Sequence, residues 1–210
     1  EYVGLDNYRR VFSDSNFWTA GWITLKFTVV AVTLQMTLGV GIAFLLHGMT
    51  VGKGLVRSLI ILPLATSAAV TGLFWRYLYD TQFGVLNWIL GSFGLPEPNW
   101  LGDYTIALWS VVIFDVWQWT PFVALALYAG LQALPLSPYR AAAVDGASRW
   151  HTFRFITLPG LYPLIAVLFL IRVIDTFKIF DTVFVLTGGG PSDATQTISL
   201  YLYKNVFDFF

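Results

Sequence analysis

In 210 residues the chain is 57% hydrophobic and only 11% charged, against roughly 25% charged for an average soluble domain, which excludes an ordinary water-soluble globule. A formal net charge of zero with no basic tract excludes nucleic-acid binding, and the absence of cysteine excludes disulfides and thiolate metal sites. Nine Trp, ten Tyr and eighteen Phe suit a membrane protein whose rings anchor it at the bilayer interfaces.

The opening residues EYVGLDNYRR carry acidic and polar groups and no initiator Met, so they do not read as a signal peptide. The chain is expected to begin inside a longer one, and its end at 202–210 to be equally abrupt. Residues 4–18 predict an amphipathic or interfacial lead-in, with Leu5, Tyr8, Phe12, Phe17 and Trp18 interrupted by Asp6, Arg9, Arg10 and Asp14. Residues 22–46 hold a single charge, Lys26. At about 1.5 Å rise per residue this run is long enough for a ~30 Å hydrocarbon core. Gly39 and Gly41 permit close helix contact within it.

A second uncharged run, 58–75, follows a polar connection at 47–57, with Pro63 in its first turns, where a lost hydrogen bond is tolerable. The connection at 80–103 contains an apolar segment, 83–93, too short to cross and better suited to an interfacial or re-entrant helix. Residues 106–133 form a third span with one charge, Asp115, and one proline, Pro121. Residues 156–171 begin a fourth, continuing through Arg172 toward Thr176. Gly188, Gly189, Gly190 and Pro191 end the next segment, and 196–209 predict a further helix with aromatic residues on one side.

Charge orients these spans. The connections at 47–57 and 134–155 contain Lys53, Arg57, Arg140, Arg149 and Arg154 against the one acid Asp145, whereas 80–103 contains Asp80, Glu97 and Asp103 and no base. The positive-inside rule therefore puts the first two in the cytoplasm and the third outside, an alternation that four spans satisfy.

A carboxylate as deep as Asp115 is costly unless it meets a partner or a wet cavity, so it is either functional or part of a structural ion pair or helix–helix hydrogen bond, with Arg172 or a residue of a further helix as the partner. Gln118 and Trp119 share its helix face, and an indole with amide and carboxylate groups can line a carbohydrate route, whereas Trp117 points elsewhere. Arg172 and Asp175 are three apart and can pair. Lys178 reads as snorkelling to the headgroups, and Gln35 as helix glue rather than a ligand. Gly188-Gly189-Gly190 lacks the Lys-Ser/Thr of a phosphate loop, and His47 and His151 lack clustered acidic partners, so neither nucleotide binding nor a metal site is expected. No nucleophile constellation stands out either, and the chain is expected to have no catalytic site of its own.

The longest polar interval that still reads as helix, turn, helix is SPYRAAAVDGASRWHTFRFITLP, residues 137–159. Ala141, Ala142, Ala143 and Val144 favour a short helix, Gly146 marks a turn or close approach, and Pro159 sits where the next apolar run starts. An island of this kind is either a docking lever or an ordinary basic loop.

The order Ala141-Ala142, Asp145-Gly146-Ala147, Phe153 and Leu158-Pro159 resembles the cytoplasmic EAA loop of permease subunits in ATP-binding-cassette importers. The resemblance is to the carbohydrate-uptake branch that includes maltose and glycerol-phosphate permeases. FDTVFVLTGGGP, at 180–191, resembles a second signature of that branch, and GLDNYRRVF, at 4–12, its usual lead-in to the second membrane helix. Arg140 holds the place where the signature normally opens with Glu, which reverses the local charge.

The resemblance implies an all-α polytopic membrane protein with the importer permease fold of the six-helix-core type, here an incomplete chain with four clear spans. It would form a single permease domain over 1–210 with a coupling segment at 137–155. Arg140, Ala141, Ala142, Asp145, Gly146 and Ala147 would meet a cytoplasmic ATPase dimer, which alone binds ATP and Mg. The substrate path would use Asp115, Gln118, Trp119, Arg172 and Asp175. The other partners implied are a second related permease subunit, an extracytoplasmic solute-binding protein, a sugar or polyol, and the lipid of a prokaryotic plasma membrane. The rival readings are an ion-coupled secondary transporter using Asp115, Arg172 and Asp175, and a membrane scaffold without transport activity.

Overall fold

The computed structural model describes residues 4–207, and the regular elements among them are helical. In chain order they are α1 (Asp6–Ser13), α2 (Ser15–Gly48), α3 (Lys53–Ile61), a 3-10 turn (Leu62–Ala65), α4 (Ala68–Leu78), α5 (Val85–Ser92) and α6 (Ala107–Ala133). Then follow α7 (Leu136–Val144), α8 (Arg149–Thr152), a π-helical turn (Phe153–Thr157), α9 (Leu158–Phe177), α10 (Asp181–Leu186) and α11 (Ile198–Phe207). Helix satisfies every backbone group within its own segment, which is what a hydrocarbon environment demands. The helix expected at 196–209 is α11, and residues 208 and 209 lie outside the described residues.

Among the described residues three helical segments are long and apolar enough to cross a membrane: Ser15–Gly48, Ala107–Ala133 and Arg149–Phe177. They contain the first, third and fourth expected spans. The second differs. Lys53–Ala65 and Ala68–Leu78 pass the same test only as a pair bent by 100°. The cause is local, because Pro63 has no amide hydrogen to donate and the helix tightens into the 3-10 turn. Ser67 is then extended, at φ −64° and ψ 137°, before α4 restarts. Thr71 donates its hydroxyl to Thr66 at 2.7 Å across that restart. Counted as one crossing, the pair completes the four spans.

The residues sort into two compact units. The first takes in the chain up to Ala31, Thr66–Val116 and the chain from Ile174. Its core includes Phe27, Tyr79, Val111, Phe114, Leu186 and Leu200. Tyr79 donates its buried hydroxyl to Ser110 O at 2.8 Å, and the hydroxyl of Thr24 accepts from Ile198 N at 2.9 Å where α11 begins. The short helix expected near 83–93 is α5. Its Asn87 accepts from Trp100 Nε1 at 2.7 Å and donates to Pro98 O at 3.2 Å, so a buried amide fixes the proline-rich connection. Asp14, between α1 and α2, accepts from the Tyr201 hydroxyl and from Asn16 N, and these bonds hold its carboxyl below the ordinary carboxylate range.

The second unit takes in Val32–Ala65 and Trp117–Val173, with Ala43, Leu46, Val123, Leu127, Leu161 and Leu168 in its core. Gly39 is the close approach of α2 to α6. A Cβ there would lie 2.6 Å from Val123 Cγ1 and 3.2 Å from Ala124 N. Gly41, expected to share that role, meets nothing within 4 Å. Gly39→Ala is therefore expected to cost about 1–3 kcal/mol through overpacking, read as a lowered Tm of the purified protein, while Gly41→Ala stays near wild type. Equal Tm values for the two variants would show that the contact at Gly39 is not tight.

Candidate functional site

The segment at 137–155 is α7, a turn and α8. Pro135, extended at φ −65° and ψ 137°, sets the entry to α7. The exit is a paired hydrogen-bond cap: Gly146 N reaches Ala143 O at 3.3 Å and Ala147 N reaches Ala142 O at 2.9 Å. This pattern closes a helix only through a left-handed residue, and Gly146 has φ +71°. A Cβ at Gly146 would meet nothing within 4 Å, so backbone conformation is what calls for glycine inside this chain. The next helix is capped by Ser148, whose Oγ accepts from His151 N at 3.2 Å. Asp145 ends α7 with its N–H on Ala141 O at 3.0 Å.

Arg140, Ala141, Asp145 and Gly146 are exposed, Ala147 is half-buried and Ala142 is buried. A cleft of about 660 Å³ opens between Ala141, Ala142, Asp145, Gly146, Ala147 and His151. The apolar side chain nearest the turn, Val144, is 88% exposed and Trp150 is 67% exposed. Such apolar area beside a rigid cap is the composition of a contact surface. Behind it, Phe153 packs edge-on to Phe44 of α2 at 5.4 Å and against Trp150 at 5.5 Å, which seats the segment on its own unit.

Asp115 is 2% exposed and belongs to the first unit, beside Val111 and Phe114 on α6. Gln118 is 2% exposed, Trp119 is half-buried and Thr120 is buried, all in the second unit, whereas Trp117 is 40% exposed. Arg172 is 1% exposed. Its Nε donates to Gln35 Oε1 at 2.9 Å, and its guanidinium lies 4.6 Å from the centre of the Trp119 ring. Amide, cation and indole thus form one cluster joining α2, α6 and α9 within the second unit, a buried charge met by a hydrogen bond and a π face. Asp175, in the first unit, pairs with Lys178 at 3.2 Å.

Among the described residues no group of three or more His, Cys, Asp or Glu side chains could hold a metal ion. Residues 35–207 match the family model described as "Binding-protein-dependent transport system inner membrane component". The chain belongs to that family. Its matched region contains the α7 turn, the Gln35–Trp119–Arg172 cluster and Asp115, so both candidate sites are part of an inner-membrane component of a binding-protein-dependent transport system.

Two curated relatives and one solved structure illustrate the breadth of the family. The chain is 42% identical over 210 residues to the trehalose/maltose transport system permease protein MalF of Thermococcus litoralis, covering 99% of this chain and 71% of that protein. It is 39% identical over 206 residues to the trehalose transport system permease protein SugA of Mycobacterium tuberculosis, covering 98% and 65%. A crystal structure of a bacterial ABC transporter involved in the import of the acidic polysaccharide alginate superimposes with a TM-score of 0.89 at 22% identity, over 99% of this chain and 74% of that one, and supports the fold. The chain spans about two thirds of the length of the curated relatives it matches.

In this inner membrane component the direct partnership of Gln35 with Arg172 is what residue-by-residue reading missed. The signal existed in outline, since one amide and one cation stood alone at depth in two apolar runs, and each requires a partner there.

Proposed function

We propose that the chain is the membrane-spanning permease subunit of an importer for a sugar or related polyol, energised by a separate cytoplasmic ATPase that binds ATP and Mg. The observation that carries this reading is 42% identity, over nearly the whole chain, with a trehalose/maltose permease. The expected partners are an ATPase dimer, a second permease subunit and an extracytoplasmic solute-binding protein. The α7 turn is the surface offered to the ATPase: Ala141, Ala142, Asp145, Gly146 and Ala147 line one cleft, Arg140 is exposed on the same helix, and the positive charge of this connection supports a cytoplasmic position.

ATP-driven closure of the ATPase would shift α7, and through α9 the spanning helices, opening the path toward the binding protein. Hydrolysis would return it and release the solute inward. Asp115, Gln118 and Trp119 remain the proposed path residues, with Arg172 and Asp175 at its margins. Against ion coupling through Arg172 and Asp175 stand the partners they already have, Gln35 and Trp119 for the first and Lys178 for the second.

The test is uptake by the complete complex in proteoliposomes, with trehalose and maltose as probes. Accumulation that requires ATP inside and binding protein outside, and that survives collapse of the ion gradients, is the expected result. Uptake that follows an ion gradient without ATP would establish the secondary-transporter reading instead.

A further inference from the structure

Two hydroxyls join α7 to the beginning of α9. Tyr139, half-buried on α7, donates to Thr157 Oγ1 at 2.9 Å. Thr157 is buried, and its own hydroxyl leans back to Thr152 O at 3.4 Å, five residues earlier. One hydroxyl can accept from the first partner and donate to the second, so the three groups form a continuous chain. Thr157 closes the π-helical turn Phe153–Thr157, a form of helix that occurs as single turns, frequently at functional positions. The Tyr139–Thr157 bond joins residues eighteen apart and therefore closes α7, the Gly146 turn, α8 and the π turn into one loop.

Beside this bond lies a cavity of about 850 Å³, bordered by Phe44, Leu131, Tyr139, Arg149, Phe153 and Thr157. This cavity is open to its surroundings and leaves α7 space to move without carrying its neighbours along. With Pro135 at one end and left-handed Gly146 at the other, α7 has a bend at each terminus.

We infer that Tyr139 and Thr157 are positioning residues for energy coupling: their hydrogen bond makes a displacement of α7 reach α9 instead of being taken up by the cavity. This rests on the reading of α7 as the ATPase-facing element. The two residues touch neither nucleotide nor solute. Their effect is on how much of each ATP-driven stroke arrives at the spanning helices.

The experiment uses the complete transporter in proteoliposomes and reads ATP hydrolysed per molecule imported, with whichever of trehalose or maltose the wild type carries. Tyr139→Phe and Thr157→Val are each expected to raise that ratio about fivefold, the factor set by one hydrogen bond. Thr157→Ser keeps the hydroxyl and should restore the wild-type ratio, and the double variant should be no worse than either single one, because both remove the same bond. A purely structural role would lower the yield of assembled complex and leave the ratio unchanged. An unchanged ratio in Tyr139→Phe and Thr157→Val, or a double variant equal to the product of the singles, overturns the inference while the coupling reading stands. Wild-type uptake indifferent to ATP would instead remove the coupling reading, and this inference with it.

Discussion

Gly146→Leu is expected to leave a folded chain that no longer supports ATP-driven uptake. The residue sits at φ +71°, where any side chain costs about 1–2 kcal/mol of backbone strain. Beyond that strain, the chain offers no obstacle, since a Cβ at this position points into open space. Gly146→Ala and Gly146→Leu should consequently show similar, small losses in thermal stability. They should differ in transport. If the ATPase approaches the α7 turn, a leucine there intrudes on the partner, and an overpacked contact of about 1–3 kcal/mol corresponds to roughly a 5-fold to 150-fold loss of association. Gly146→Asn supplies the backbone control, because asparagine tolerates the left-handed region better than other side chains. Copurification of the ATPase and the initial rate of uptake, measured on all three variants, decide the matter. Normal uptake with leucine in place would mean that nothing docks closely at this turn.

The α7 turn was legible in the sequence because its chemistry is local. A run of alanines and a glycine are a helix and its exit, and no distant residue is needed to specify them. The long spans were legible for a different reason: hydropathy integrates over many residues, so one or two exceptions such as Lys26 or Asp115 do not change the outcome. The bend between α3 and α4 defeated the same averaging. Residues 58–75 carry no charge, and only Pro63 followed by the adjacent hydroxyls of Thr66 and Ser67 marks the break. A hydropathy window records those residues as mildly polar, whereas the backbone uses them to stop one helix and start another.

The intramembrane cluster was legible only by half. Helical periodicity put Asp115, Gln118 and Trp119 on one face and sent Trp117 elsewhere, and Trp117 is exposed where Asp115 and Gln118 are buried. Periodicity says nothing about which helix lies opposite. Arg172 and Gln35 are 137 residues apart, and their hydrogen bond is a property of how α2 and α9 pack.

Replacing Gln35 and replacing Arg172 are expected to be unequal, and replacing both to be milder than either. Gln35→Leu takes the acceptor from a guanidinium that is 1% exposed, leaving a buried charged donor with one bond fewer, a loss of about 1.5–3 kcal/mol. Arg172→Met removes the charge itself and leaves the Gln35 amide short of a donor, which costs about 1–2 kcal/mol. Arg172→Lys should fare no better than methionine, because an ammonium cannot reproduce the Nε–H on Gln35 while stacking its plane on Trp119. The double variant, with leucine against methionine, replaces a polar pair by apolar groups of similar volume, an exchange that is often near neutral. Thermal unfolding of the purified complex reads this cycle, and losses that simply add would show that Gln35 and Arg172 are not coupled. The same double variant separates scaffold from solute path. If the cluster only clamps α2, α6 and α9 together, a stable double variant keeps its uptake. If Arg172 and Trp119 border the route of the solute, stability recovers while uptake does not, because the apolar pair closes the helices as well as the polar one did but presents nothing to a sugar hydroxyl.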